Sequence, residues 1–193
     1  MTRERAEALL GFVTQGDGLK HVLRAARTRD PNGRERHENA AEHAWHVALI
    51  AVALHPEAWP CDLARVLSQI AVHDVVEIEA GDTFAFDERG VATQAAREAE
   101  AAGRVFAGFP ALRALWEEFE AAATPEARFA MGCDRLQGFA QQVECGAPAW
   151  REIGLTRARS LVRMGPAIAL GPPFAPLIER LYARALAEGL LLA

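Results

Sequence analysis

The chain has 193 residues, 51% of them hydrophobic and 24% charged, with a formal net charge of −5, which favours one core and one domain over residues 1–193. The acidic balance, with no run of about five basic residues, excludes a general nucleic-acid binder, because counterion release needs clustered Lys and Arg. The charged start M-T-R-E-R-A-E-A-L-L and the lack of any stretch approaching about 18 uncharged apolar residues exclude a secretory signal and a membrane span, so a cytoplasmic protein is expected. Cys61, Cys133 and Cys145 form no C-x-x-C pair, which suits a reducing compartment and small core-filling roles.

Abundant Ala and Leu, apolar spacings of three and four, and no convincing period-2 segment predict an all-α protein. Segment 28–38 (T-R-D-P-N-G-R-E-R-H-E) reads as a polar loop around a Pro-Asn-Gly turn. A helix then starts at N-A-A-E (39–42), where Asn39 caps and Glu42 reaches back to close a capping box, and runs to about His55 before Pro56. The next helix opens after the N-cap Asp62, carries Leu63, Val66, Leu67, Ile70 and Ala71 on one face, and continues through His73 to Gly81. Residues 82–90 read as a second loop. Helices follow near 91–108, from Pro110, from Thr124-Pro125 through Asp134, and around 174–191, with Pro at the first helical position in two of them. The expected total is about nine or ten helices. Beyond residue 154 no side chain stands out for its chemistry.

The pair His73-Asp74 follows the apolar run L-S-Q-I-A-V (67–72), so both side chains begin inside a core segment. Burying even a neutral polar group without partners costs roughly 2–7 kcal/mol, which implies a ligand or a polar network. Imidazole nitrogen with carboxylate oxygen suits Mn²⁺, Co²⁺, Fe²⁺, Ni²⁺ or Zn²⁺ and leaves coordination positions open for water and substrate. With the helix running to residue 79, His73, Asp74 and Glu77 fall on one side. Glu77 could then serve as a general acid or base, although a solvated helix end would look the same. His43 and His46 lie three apart on the capped helix, and only one of them need be a ligand. All six histidines precede Asp74, which disfavours a His-bridged dinuclear centre. Periodicity leaves Asp134 undecided between a ligand and a solvated surface acid.

Three stretches carry a resemblance: R-E-R-H-E-N-A-A-E-H-A-W, then L-A-R-V-L-S-Q-I-A-V-H-D-V-V-E-I-E-A-G-D-T-F-A-F-D, then C-D-R-L-Q. Together they are similar to the HD-domain hydrolases over roughly residues 18–165, and within them to the 5'-deoxynucleotidase branch. The resemblance implies a compact helical fold and a divalent metal cation (Mn, Co, Fe, Ni, Zn or Mg) held by His43, His73, Asp74 and Asp134. It implies catalytic or water-positioning roles for Glu77 and Asp82, or a second cation held by them with a carbonyl such as that of Thr83. It implies phosphate binding by Arg24, within L-K-H-V-L-R-A-A-R, where a helical surface arginine is the alternative. Relatives place a Trp close after that Arg, and none stands there in this chain. The implied activity is release of phosphate from (deoxy)nucleoside 5'-monophosphates by a homodimer. A pyrophosphohydrolase or phosphodiesterase acting on another nucleotide, or a nucleotide-sensing module without turnover, are the alternatives.

Overall fold

The computed structural model describes residues 1–193. Helix α1 (Arg3–Gly16) leads through a short 3-10 turn to a hairpin of β1 (Leu23–Arg29) and β2 (Glu35–Asn39). There follow α2 (Ala40–Leu54), α3 (Leu63–Val72), α4 (Glu77–Ala80), α5 (Glu88–Val105), α6 (Pro110–Ala121), α7 (Pro125–Glu144), α8 (Pro148–Glu152), α9 (Arg157–Ile168) and α10 (Phe174–Ala187). The fold is all-α in class, and its two-stranded sheet is small. No helix is long and apolar enough to cross a membrane.

The predicted starts are borne out in atomic detail. Asn39 Oδ1 accepts from Glu42 N at 2.9 Å and Glu42 Oε2 accepts from Asn39 N at 3.2 Å, the reciprocal pair of a capping box. Asp62 and Thr124 cap α3 and α7 through their side-chain oxygens, and prolines open α6 and α7.

Three expectations are corrected. The polar loop predicted over 28–38 is largely strand. Asp30 Oδ1 accepts from both Asn32 N and Arg34 N at 2.8 Å, and Gly33 takes φ +77°, so the Pro-Asn-Gly segment is the turn of an antiparallel hairpin rather than the middle of a loop. Arg24 therefore sits on a strand, not on a helix. The helix predicted to run unbroken from 62 to about 79 ends at Val72, and residues 73–76 form a turn before α4. The final helix stops at Ala187, short of 191, and the tail beyond 154 also contains α9.

Helix α7 is the central strut, packing on α2, α3, α6, α9, α10 and β1. The main apolar cluster of 22 buried residues gathers around it, including Val47, Ile70, Phe129, Cys133, Leu136 and Ile178. Phe129 is fully buried against Trp59 and Phe174, with ring centroids 5.8 and 5.4 Å away. A Cβ on Gly132 would come within 2.6 Å of the Phe174 ring, so only glycine lets α10 approach this closely. A second cluster of eight residues joins α3, the 73–76 turn, α5 and α6 through Val72, Val76, Val105 and Trp116. The capped start of α2, the end of α3 and the middle of α7 are thereby fixed around one polar cavity.

Candidate metal centre and its cavity

Three side chains from three helices meet. His43 on α2, His73 at the end of α3 and Asp134 on α7 place one potential ligand atom each within 4.8 Å of the others, a grouping able to hold a metal ion. His43 Nε2 lies 3.1 Å from Asp134 Oδ1 and 3.4 Å from His73 Nε2. Asp74 joins them: its Oδ1 is 3.1 Å from His73 Nε2 and its Oδ2 is 3.6 Å from His43 Nε2. His73 and Asp74 open the turn of residues 73–76 that follows α3.

Both imidazoles are oriented from behind. His73 Nδ1–H donates to the Ile70 carbonyl at 2.7 Å, and His43 Nδ1–H donates to Gln137 Oε1 at 2.6 Å. Each ring thus keeps its Nε2 lone pair directed toward the carboxylates, the tautomer a cation needs. Gln137, fully buried, passes the constraint on: its Nε2 donates to Glu38 Oε1 at 2.8 Å and faces His46 Nδ1 at 3.3 Å. His46 is accordingly a supporting polar residue, and His43 is the histidine of the pair that faces the centre. His37 lies exposed on β2, where its Nδ1–H donates to the Arg24 carbonyl at 2.6 Å.

Arg24 enters from β1, where the strand register shifts between Leu23 and Arg27. The bulge re-aims the side chain at the cavity. Its Nη1 lies 3.4 Å from Asp74 Oδ2 and 3.5 Å from Asp82 Oδ1, and its Nε lies 3.5 Å from Glu38 Oε2. The guanidinium passes over Gly138, where an added Cβ would lie in ordinary van der Waals contact with Nη2 at 3.9 Å. Burial disfavours the charge on Arg24, but Asp74, Asp82 and Asp134 outweigh burial and hold its proton more firmly than usual.

Gly81, at φ +75°, turns the chain after α4 so that Asp82 returns to Arg24. Arg97 pins this turn, donating to Ala80 O at 2.5 Å and to Thr83 Oγ1 at 2.6 Å. Glu77 is buried, and its Oε2 has no hydrogen-bond partner. Burial, then the Asp74 and Asp82 charges, push its carboxyl well above the ordinary range. Burial also raises Asp82, with Arg24 opposing it. Asp134 goes the other way: burial would raise it, but the closeness of His43, helped by Arg163, holds it well below the carboxylate range.

The cavity has a volume of about 250 Å³ and extends from His73, Asp74 and Asp134 toward Phe139 and Trp150. All seven residues singled out from the sequence, His43, His73, Asp74, Asp134, Glu77, Asp82 and Arg24, come together here. Sequence reasoning missed Glu38 and Gln137, which stand behind the histidine, and Arg163 on α9, whose Nη2 is 3.5 Å from Asp134 Oδ2. The expectation that nothing beyond residue 154 matters chemically is therefore corrected. For Gln137 a signal existed, since it lies one helical turn after Asp134; Arg163 has no local signal in the sequence.

A family model described as "HD domain" matches residues 16–170. Among solved structures, a predicted metal-dependent phosphohydrolase from Magnetospirillum magnetotacticum MS-1 is 36% identical with a TM-score of 0.81, over 98% of this chain and 96% of that one. A conserved hypothetical protein from Pyrococcus furiosus (21% identity, TM-score 0.62, 90% of this chain and 99% of that one) and the PH0347 protein from Pyrococcus horikoshii OT3 (19%, 0.60, 92% and 98%) share the fold. Comparison with curated proteins finds no match. The histidine-aspartate centre, the helical frame around it and these matches agree: the chain belongs to the HD domain family.

Proposed function

We propose that this protein is a metal-dependent phosphohydrolase that releases phosphate from (deoxy)nucleoside 5'-monophosphates. The observation that carries the reading is the meeting of His43 Nε2, His73 Nε2, Asp74 and Asp134 beside the Arg24 guanidinium in one cavity. The 36% identical phosphohydrolase-described structure supports the class of chemistry.

The donor set fits a divalent cation. Two imidazoles with their Nε2 lone pairs directed inward and two carboxylates are borderline and hard ligands, and so many half-desolvated carboxylates need positive charge. His43, His73, Asp74 and Asp134 would hold it, and it would supply Lewis acidity toward the phosphoryl group. Arg24 offers paired N–H donors to phosphate oxygens. Asp82, steadied by Arg24, is placed to accept a proton from the attacking water. Glu77, whose carboxyl burial pushes upward, would give a proton to the leaving 5'-oxygen as the P–O bond breaks. Either carboxylate, with a carbonyl such as that of Thr83, could instead hold a second cation.

Glu77, Asp82, Glu98 and Glu120 also line the cavity. The test is phosphate release from ribo- and deoxyribonucleoside monophosphates after chelation and reloading with Mn²⁺, Co²⁺, Mg²⁺ or Zn²⁺, beside Asp74→Asn. Metal-dependent release that vanishes in the variant supports the reading. Pyrophosphate as the product, or no release with any metal, overturns it.

A further inference from the structure

The inner end of the cavity has a chemistry that phosphate hydrolysis does not use. From Asp134 to Gln142 the cavity follows one face of α7 through Arg135, Gly138 and Phe139, about 12 Å along the axis at about 1.5 Å per residue. Beyond the charged end, Phe139, Trp150 and Met164 form an apolar wall, with the Phe139 and Trp150 ring centroids 4.8 Å apart. In this wall stands Gln142. It is 5% exposed, lines the cavity, and its Oε1 is buried without a hydrogen-bond partner.

An orphaned buried amide oxygen is costly, and native proteins seldom keep one unless something satisfies it. Leu or Met would fill the same volume without that cost. Gln142 lines the cavity together with Phe139, three residues before it on α7, and Trp150 of α8.

We infer that Gln142 is a specificity-determining residue: its carboxamide hydrogen-bonds the edge of a planar nitrogen heterocycle on the leaving group, a nucleobase, resting against the wall that Phe139, Trp150 and Met164 form. The inference rests on the proposed hydrolysis of a nucleotide monoester and names the part of the leaving group that this chain reads. A carboxamide carries one acceptor and two donors, which matches a ring edge that sets N–H beside a lone pair. The aromatic wall supplies stacking and excludes water, so the hydrogen bond forms where it discriminates most strongly.

The experiment is calorimetric titration of the chelated protein, which does not turn over, with the four deoxynucleoside 5'-monophosphates and with 2-deoxyribose 5-phosphate. The wild type is expected to bind at least one nucleotide more tightly than the sugar phosphate. In Gln142→Met the ratio of the two affinities falls about tenfold, the scale of losing one buried hydrogen-bond partner. Gln142→Asn, which keeps the amide but withdraws it by one methylene, gives a drop in the same direction and serves if Gln142→Met folds poorly. Equal affinities in the wild type, no nucleotide binding, or a ratio untouched by either variant overturns the inference. Phosphate release by the metal-loaded enzyme from 2-deoxyribose 5-phosphate and nucleotides alike would leave the hydrolase reading standing and remove this one.

Discussion

The two sides of α7 follow opposite rules. On the side facing α10, Phe129, Gly132 and Cys133 are wholly apolar and close-packed, and each surrounding atom is satisfied by contact. On the side facing the cavity, Asp134 and Gln142 set a charge and an unpaired amide oxygen into half-desolvated space beside Arg24 and Glu77. One helix thus supports a region built for stability and a region kept unstable in the absence of its ligands. The contrast fits the general observation that sites holding charge ready for a substrate lower the stability of the fold around them.

The contrast is sharpest for charge removal at the centre. Asp74→Asn should lower metal-dependent phosphate release by about 10³-fold or more, the equivalent of several kcal/mol of lost Lewis-acid stabilisation. The chelated variant should melt no lower than the chelated wild type, because a buried charge has gone. A large drop in both would show that Asp74 holds the fold rather than the reaction. On the opposite side, Phe129→Ala should cost about 3–5 kcal/mol in urea unfolding. Gly132→Ala should cost about 1–3 kcal/mol through its clash with Phe174. If both were neutral, the α7–α10 seam would not be the tight packing its distances indicate.

Gln137→Ala tests the border between the two regions. It frees the His43 ring, so metal affinity should weaken about 10–100-fold while turnover at saturating metal largely recovers. Competition against a chelator and a metal-titrated rate assay separate the two. The smallest effect concerns pH. Burial raises the Glu98 carboxyl above its ordinary 4.5, with the Gln94 hydrogen bond opposing. A raised carboxyl contributes stability that is fully present below pH 4.5 and is lost as pH rises beyond it. Glu98→Gln should therefore match the chelated wild type near pH 4 and melt a few degrees higher at pH 8; equal melting curves at both pH values would place Glu98 in water.

The sequence exposes most of the frame because its signals are local. Asn39-Glu42, Asp62, Pro110 and Thr124-Pro125 mark helix starts through neighbours within four residues, and the structure uses each as read. The hairpin escaped because R-A-A-R-T-R has no apolar alternation: β1 is half-covered by α7, with Gln141 Nε2 donating to the Arg27 carbonyl at 2.6 Å, so packing rather than pattern makes it a strand. The Asn-Gly turn between its strands was the available signal. The break after Val72 hides for a related reason, since apolar spacing continues through Val75 and Val76, which are buried in the second cluster. At the site, the side chains that face the centre carry distinctive chemistry and could be singled out. Glu38 and Arg163 act across 99 and 29 residues of chain, on Gln137 and Asp134, and no spacing rule reaches that far.

Glu38 is touched on one oxygen by Gln137, which holds His43, and approached on the other by Arg24 at 3.5 Å. One buried carboxylate is therefore shared by the group that meets a cation and the group that meets an anion. In the proposed hydrolase, a cation on His43 and a phosphate on Arg24 would be joined through this one carboxylate, and by thermodynamic linkage any factor by which one changes the other's affinity would hold in both directions.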